Sequence, residues 1–262
     1  MAQPVTDGPG RPDQELAVLS KLASLIGCRL DSTRMGRAVL RQSMITGPSV
    51  ASVDLSGAVV DQATIVKADL TRATLTSTRL VDTVLQGCDL SRQDLSGLDW
   101  SGSSQLMESK LAATNLTGAN LTRCNFKGAD LSGAVLDEAK LDNALFVQSK
   151  LTGASLKRVR MHQGILQEAD LTGADLSLAA MKQCILTRAK CAGALFTGAD
   201  LEYADFSHAD VSRARFVGAT LARTRFHRTV TREAVWGDRS GALGDDEELA
   251  VAEDWTSRAR PV

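Results

Sequence analysis

The sequence predicts an all-β solenoid, a narrow parallel β-helix closed by short terminal α-helices. Three observations predict it. Bulky apolar residues recur every five positions, a period that belongs neither to an α-helix nor to a half-buried strand. The residue two places before each of them is small over most of the chain. Positions twenty apart carry complementary charges, as stacked turns of a coil would.

The five-residue series starts at Leu30. Steps of five meet fifteen apolar residues in a row, ending at Trp100. One extra residue falls in the Gly/Ser-rich stretch 101–105. The series resumes at Leu106 and runs unbroken to Phe226, for twenty-five further residues. All six Phe lie on it, at Phe126, Phe146, Phe196, Phe206, Phe216 and Phe226. At about 3.6 residues per turn, such a column would wander right round a helix. From Ala119 to Ala219 the small position is Ala, Cys, Ser or Gly, with Val159 the exception. Pro48, Val53, Gln93 and Leu98 make the N-terminal part less regular. A large and a small residue alternating at separations of two and three suit a narrow coil with both pointing inward.

Coil length follows from charge. Lys110, Asp130, Lys150, Asp170, Lys190 and Asp210 alternate in sign at intervals of twenty, and steps of fifteen or twenty-five do not. Asp137 and Glu138 fall beneath Lys157 and Arg158, and Lys182 beneath Glu202. Each opposed pair across neighbouring strands contributes ~0.2–1 kcal/mol. Twenty residues is four pentads. The extra residue near Gly102 is expected to make a small bulge with the coil continuing through it.

The elements follow in chain order. Residues 1–12 are rich in Pro and Gly and read as disordered. Residues 13–26 read as a capping helix, with Asp13 at its N-cap and Leu16, Leu19, Leu22, Ala23 and Ile26 on one face. The repeats occupy 27–228. Residues 229–262 form a C-terminal cap and tail with a helix at 245–255. That helix has an acidic start suited to its dipole and apolar Leu249, Val251, Ala252 and Trp255.

Bulk properties narrow the function. The 262 residues are 44% apolar but only 4% aromatic, so Leu and Ala must do most of the packing. The net charge of −1, from 30 basic and 31 acidic residues, points neither to nucleic-acid binding by a basic surface nor to a strongly acidic surface. By segment it is −1 over 1–26, 0 over 27–100, +3 over 101–226 and −3 over 227–262. Cys28, Cys88, Cys124, Cys184 and Cys191 form no close pair and fall inward, as core filler in a reducing, cytoplasmic setting. No signal peptide or membrane-spanning run is read. His162, His208 and His227 fall at outward positions. No catalytic, cofactor-binding or metal-ligating set emerges, and the chain reads as a binding surface rather than an enzyme.

Two outward features stand out. Leu145, Ile165 and Ile185 occupy the position just before the central residue, where Asp or Asn is the rule, and would stack as an apolar stripe with Val147 beside it. Such a stripe marks a candidate partner surface. Asp130, Asp170, Asp175, Asp200, Asp205 and Asp210 form a candidate acidic surface.

The unit small-(Asp/Asn)-Leu-x-x, as in Ala119-Asn120-Leu121-Thr122-Arg123 and Ala199-Asp200-Leu201, resembles the pentapeptide-repeat family over about residues 26–228. The resemblance implies a right-handed quadrilateral β-helix with one pentad per side. Family members of the quinolone-resistance type resemble a DNA duplex and occupy the DNA groove of gyrase. The resemblance therefore implies a protein partner such as DNA gyrase or another type II topoisomerase, whose response to inhibitors the protein would modulate. It also implies a homodimer formed through the C-terminal segment, and Leu249, Val251, Ala252 and Trp255 serve either that contact or capping within one chain. The alternative is a scaffold for an unrelated protein partner. A continuous negative face favours the first reading and a mixed surface the second.

Overall fold

The computed structural model describes residues 24–26, 36–37, 39–42, 44–46, 52–100 and 102–258. Residues 1–12, most of the segment expected to be the N-terminal helix, and Leu30, Met35 and Val50 lie outside them.

Inward burial organises the chain. Every central residue of the series whose burial is described is buried, from Ile45 to Phe226, and Leu121, Leu171 and Phe206 are fully so. The small residues two places earlier are buried beside them. Ala fits there without a polar group, and where Ser, Thr or Cys replaces it, the side chain finds a carbonyl. Thr78 Oγ1 donates to Leu55 O at 2.7 Å, Thr114 Oγ1 to Leu90 O at 3.0 Å and Cys184 Sγ to Met161 O at 2.7 Å. That satisfaction is what lets a hydroxyl or thiol stand in a dry core. Gly164 takes this position because a Cβ there would lie 2.6 Å from Met161 Cγ.

Two places after the central residue the chain turns, with φ between about +50° and +70° at nearly every corner described. Gly133, Gly153, Gly173 and Gly193 are four of these corners. The others carry Arg, Gln, Glu, Asn, Lys and other residues unbranched at Cβ, and none carries Val, Ile or Thr. Crowding at Cβ makes a positive φ far costlier for branched side chains, so the corner filters composition.

The coil stacks on itself in parallel. The paired strands are β1 (Ser24–Ile26), β2 (Val39–Arg41), β3 (Met44–Thr46), β4 (Val59–Asp61), β5 (Thr64–Val66), β6 (Arg79–Val81), β7 (Val84–Gln86), β8 (Arg215–Phe216) and β9 (Val235–Trp236), followed by helix α1 (Glu247–Arg258). Strands β1, β3, β5 and β7 form one parallel sheet and β2, β4 and β6 another, each in a register of twenty residues. Leu25 pairs with Ile45, so the coil begins one pentad before Leu30. The helix expected over 13–26 is therefore strand at Ser24–Ile26, because coil register claims those residues for pairing.

Single-residue bridges continue the stack. The register is 21 from Val84, Asp89, Asp94 and Asp99 to the next coil, then 20 again from Gln105 to the bridge of Asp210 with Val230, and 18 at the last bridge, Arg225 to Leu243. The extra residue is thus absorbed in one coil. At the bulge Gly102 has φ 103°, and any Cβ there would meet the Asp82 carboxylate. That carboxylate accepts the Ser103 N–H at 2.7 Å. One ladder runs without a break from Ser24 to Leu243 through eleven pairings, which at ~4.8 Å each gives a rod of about 50 Å.

The C-terminal core is aromatic. Phe196 stacks on Phe216 at 5.0 Å and Phe216 on Trp236 at 4.6 Å, with Phe206 and Phe226 stacked alongside at 5.3 Å. The Arg239 guanidinium lies 4.0 Å over the Trp236 ring and closes the stack. Among the described residues no helix is long and apolar enough to cross a membrane.

Candidate partner-binding surface

Four bridge columns run along the rod, and their outward chemistry differs. The first alternates Lys110, Asp130, Lys150, Asp170, Lys190 and Asp210, each bridged to the next. Asp175 stands on a second column between Ser155 and Leu195, Asp200 on a third between Ala180 and Thr220, and Asp205 on the fourth between Ile185 and Arg225. The six candidate acidic residues are therefore dispersed over four columns, and the three on the first alternate with lysine.

Their carboxylates are also engaged in the fold. Asp130, Asp170, Asp175, Asp205 and Asp210 each accept the backbone N–H two residues on, at 2.8–3.0 Å, and Asp200 does so at 3.3 Å. These are Asx turns, the physical reason for Asp or Asn at this position of the repeat. The side-chain and backbone hydrogen bonds of Ser212 hold the Asp210 carboxyl below its ordinary range. At Asp130, partial burial pushes the other way, and the Ser132 hydrogen bonds with Lys150 overcome it.

Ion pairs neutralise the remaining charge clusters. Lys182 lies 2.7 Å from Glu202, and Arg158 pairs with Glu138 at 3.9 Å. Lys157 turns its ammonium to Asp175 at 3.4 Å, while Asp137 accepts its backbone N–H. Arg160, stacked over Lys140, pairs with Asp142 at 2.5 Å.

The fourth column is different. It carries Met44, Thr64, Val84, Gln105, Asn125, Leu145, Ile165 and Ile185 in one continuous ladder. No charged residue stands on it until Asp205. Leu145, Ile165 and Val147 are half-buried, while Ile185 is 38% and Met44 45% exposed. The sequence-predicted stripe is brought together as a surface.

That column ends beneath α1. Asp246 caps the helix, accepting the Leu249 N–H at 3.0 Å. The docked side of α1 is polar: Glu253 reaches His208 Nε2 at 3.1 Å and His227 Nε2 at 3.4 Å, and Asp254 pairs with Arg228 at 2.7 Å. The apolar residues expected to cap or dimerise are not at this contact. Leu249 is 37% and Val251 70% exposed, and Ala252 is exposed. The Trp255 side chain lies outside the described part.

His227 corrects an expectation. It is fully buried rather than outward, with its Nδ1 accepting the Asp246 N–H at 3.1 Å. The chain after Asp238 folds back over the last coil and covers it. Sequence reasoning missed the grouping of His208, His227 and Glu253. A twenty-residue coil makes His208 and His227 diagonal neighbours, so half of the grouping was legible; Glu253 depends on where α1 lands.

The cysteines lie in the core. Burial pushes the Cys88 thiol up to about 11 and Cys184 to about 12, and raises Cys124 and Cys191 further. These thiols stay protonated and unreactive at neutral pH. Cys28 lies outside the described residues.

The sequence profile of the pentapeptide repeats matches residues 54–92, 104–141, 129–167, 165–202 and 199–230. No curated protein sequence matches the chain. Among solved structures, a trypsin-treated form of QnrB1, a plasmid-mediated fluoroquinolone resistance protein, is similar at 16% identity over 86% of this chain and 100% of its own, with a TM-score of 0.53. HetL, a pentapeptide repeat protein involved in heterocyst differentiation regulation from the cyanobacterium Nostoc, is 27% identical over 84% of this chain and 90% of its own, with a TM-score of 0.48. The likeness to QnrB1 is one of fold.

Proposed function

The chain belongs to the pentapeptide-repeat family, and from that premise we propose that it is a right-handed, four-sided rod that binds a protein partner and carries out no chemistry. The observation that carries this reading is the uncharged run of the fourth column from Met44 to Ile185, with Leu145, Ile165 and Ile185 stacked outward on the ladder. A flat, low-charge strip suits an apolar strip on a partner, because contact removes apolar surface from water without stranding charges. A cytoplasmic setting fits the unpaired cysteines.

The topoisomerase reading needs a different surface. A duplex presents one negative charge per ~1.7 Å, so a mimic should be strongly acidic along one side. Here the segment 101–226 has a net charge of +3, and its acidic residues are dispersed over four columns, alternating with lysine on the first. A mixed surface supports the scaffold instead. The exposed Leu249 and Val251 of α1 are the side chains a second copy would cover, and light scattering over a concentration series tests for that dimer.

The deciding experiment uses the whole chain and an Ile165→Lys/Ile185→Lys variant, whose changed residues point outward. The native protein is expected to retain a partner from its own cells that the variant loses, with gyrase supercoiling and quinolone inhibition unaffected by either. A micromolar effect on supercoiling that survives in the variant would replace this reading with topoisomerase binding through another face.

A further inference from the structure

The C-terminal end holds a second grouping of side chains that partner binding does not use. His208 sits at a left-handed corner, His227 one coil further on, and Glu253 on α1. His208 Nε2 lies 3.1 Å from Glu253 Oε1, and His227 Nε2 lies 3.4 Å from Glu253 Oε2. One ligand atom from each falls within 4.8 Å of the others. We propose that His208, His227 and Glu253 form a binding site for a zinc-class divalent ion that clamps α1 onto the last coils.

The distances fit. Zinc takes imidazole nitrogen and carboxylate oxygen at about 2.0–2.2 Å, which places two ligands about 3.4 Å apart at the tetrahedral angle. Both imidazoles present Nε2 to the same carboxylate, so an ion enters by displacing the shared protons as the ligand atoms, spread over up to 4.8 Å, close in on it. Two imidazoles and one carboxylate select zinc, cobalt or nickel over calcium or magnesium, which prefer all-oxygen sites. Three protein ligands leave a fourth position for water or an outside ligand.

The surroundings support the ligands. His227 is fully buried, which fixes its ring. On loading, its Nε2 gives up the proton and its Nδ1 carries one. The Asp245 carboxylate, 3.9 Å from Nδ1, stands where an outer acceptor is needed. Nδ1 accepts the Asp246 N–H at 3.1 Å, a bond it would exchange on loading for one to Asp245, so binding rewires the first turn of α1. Arg228 competes mildly, with its Nε 3.5 Å from Glu253 Oε2, but its terminal nitrogen is committed to Asp254 at 2.7 Å.

The site also answers a physical need. Arg228 also holds α1, through the Ala250 carbonyl and Asp254, while Leu249 and Val251 face solvent. An ion that binds only the docked form would shift α1 toward the coil.

The test uses the full chain without a histidine tag, stripped with chelator and titrated with cobalt(II), then with zinc(II) in competition. One equivalent of cobalt is expected to bind with the visible bands of a tetrahedral or five-coordinate nitrogen–oxygen site, and zinc to displace it. His208→Gln and Glu253→Gln, both at partly exposed positions, should weaken binding at least about tenfold while the melting transition of the coils is retained. Glu253→Gln keeps a hydrogen-bonding group at the contact, so loss of metal there is not loss of the helix. Absence of stoichiometric binding, or binding unchanged in both variants, overturns the proposal.

Discussion

The coils before Gly102 and those after it solve the same stacking problem differently. Before the bulge, two columns pair over three residues, through Val39, Val59, Thr64, Val66, Val81 and Val84. After it the chain stacks through single bridges, apart from the two-residue pairing of β8 with β9, and corners such as Ala119 N to Leu116 O, at 3.0 Å, close tightly. At the wider corners a side chain takes over that work. Ser104 Oγ donates to Leu80 O at 3.1 Å and accepts the Thr83 N–H at 3.2 Å. Ser109 Oγ likewise bridges Leu85 O and the Cys88 N–H, the latter at 3.1 Å. Irregularity in the repeat is therefore compensated locally, one hydroxyl serving two buried backbone groups. In the regular half the backbone does this alone, and Ala suffices.

Four measurements break or sharpen that contrast. Leu171→Asp places an unpaired charge in the regular half and should cost more than about 4 kcal/mol. Hydrogen exchange should show protection lost around that coil first, since each coil contacts only its neighbours. A native-like melt would refute the inward assignment.

Ser109→Ala strands two buried backbone groups and should cost about 2–3 kcal/mol by denaturant titration. Ser149→Ala, where the hydroxyl bonds only Phe146 O three residues back, should cost under about 1 kcal/mol. Equal losses would mean that the bridging serines are ordinary filler.

Gly173→Ala tests the regular corner. Its φ is 66° and nothing lies within 4 Å of an added Cβ, so the cost is conformational alone, about 1 kcal/mol. Gly102→Ala adds a clash with Asp82 and should cost more.

The smallest effect is on pH. Asp130, Asp170 and Asp210 are held below the ordinary carboxyl range. Their contribution is complete above the unfolded value near ~4 and is lost as pH falls through the lower folded values. The melting temperature should fall on acidification below about pH 4. Replacing all three by Asn, which keeps the Asx turn, should flatten that acid limb.

Much of this was written in the period. The inward series, the twenty-residue coil and the stacking of Leu145, Ile165 and Ile185 follow from counting by five, because one local rule repeats without tertiary choice. What escaped depends on contacts that counting cannot reach. Ser24–Ile26 looked helical because Leu22, Ala23 and Ile26 share a helical face, yet Leu25 stands twenty before Ile45, and pairing won. His227 looked outward because its repeat position is outward, and only the returning tail buries it. The apolar residues of α1 suggested a greasy contact, whereas the docking residues are Glu253 and Asp254. Nor does a period report whether Trp100 Nε1, buried beside the bulge without a hydrogen-bond partner, finds an acceptor.

The pairing of each coil only with the next has a mechanical consequence. Among the described residues no ladder joins coils that are not neighbours, so turns of a rod drawn out by its two ends should peel away singly from an end. Each release would lengthen the chain by about 65 Å, the extended span of a coil less one strand spacing. A force trace would then show a train of small, evenly spaced rips instead of one large rupture.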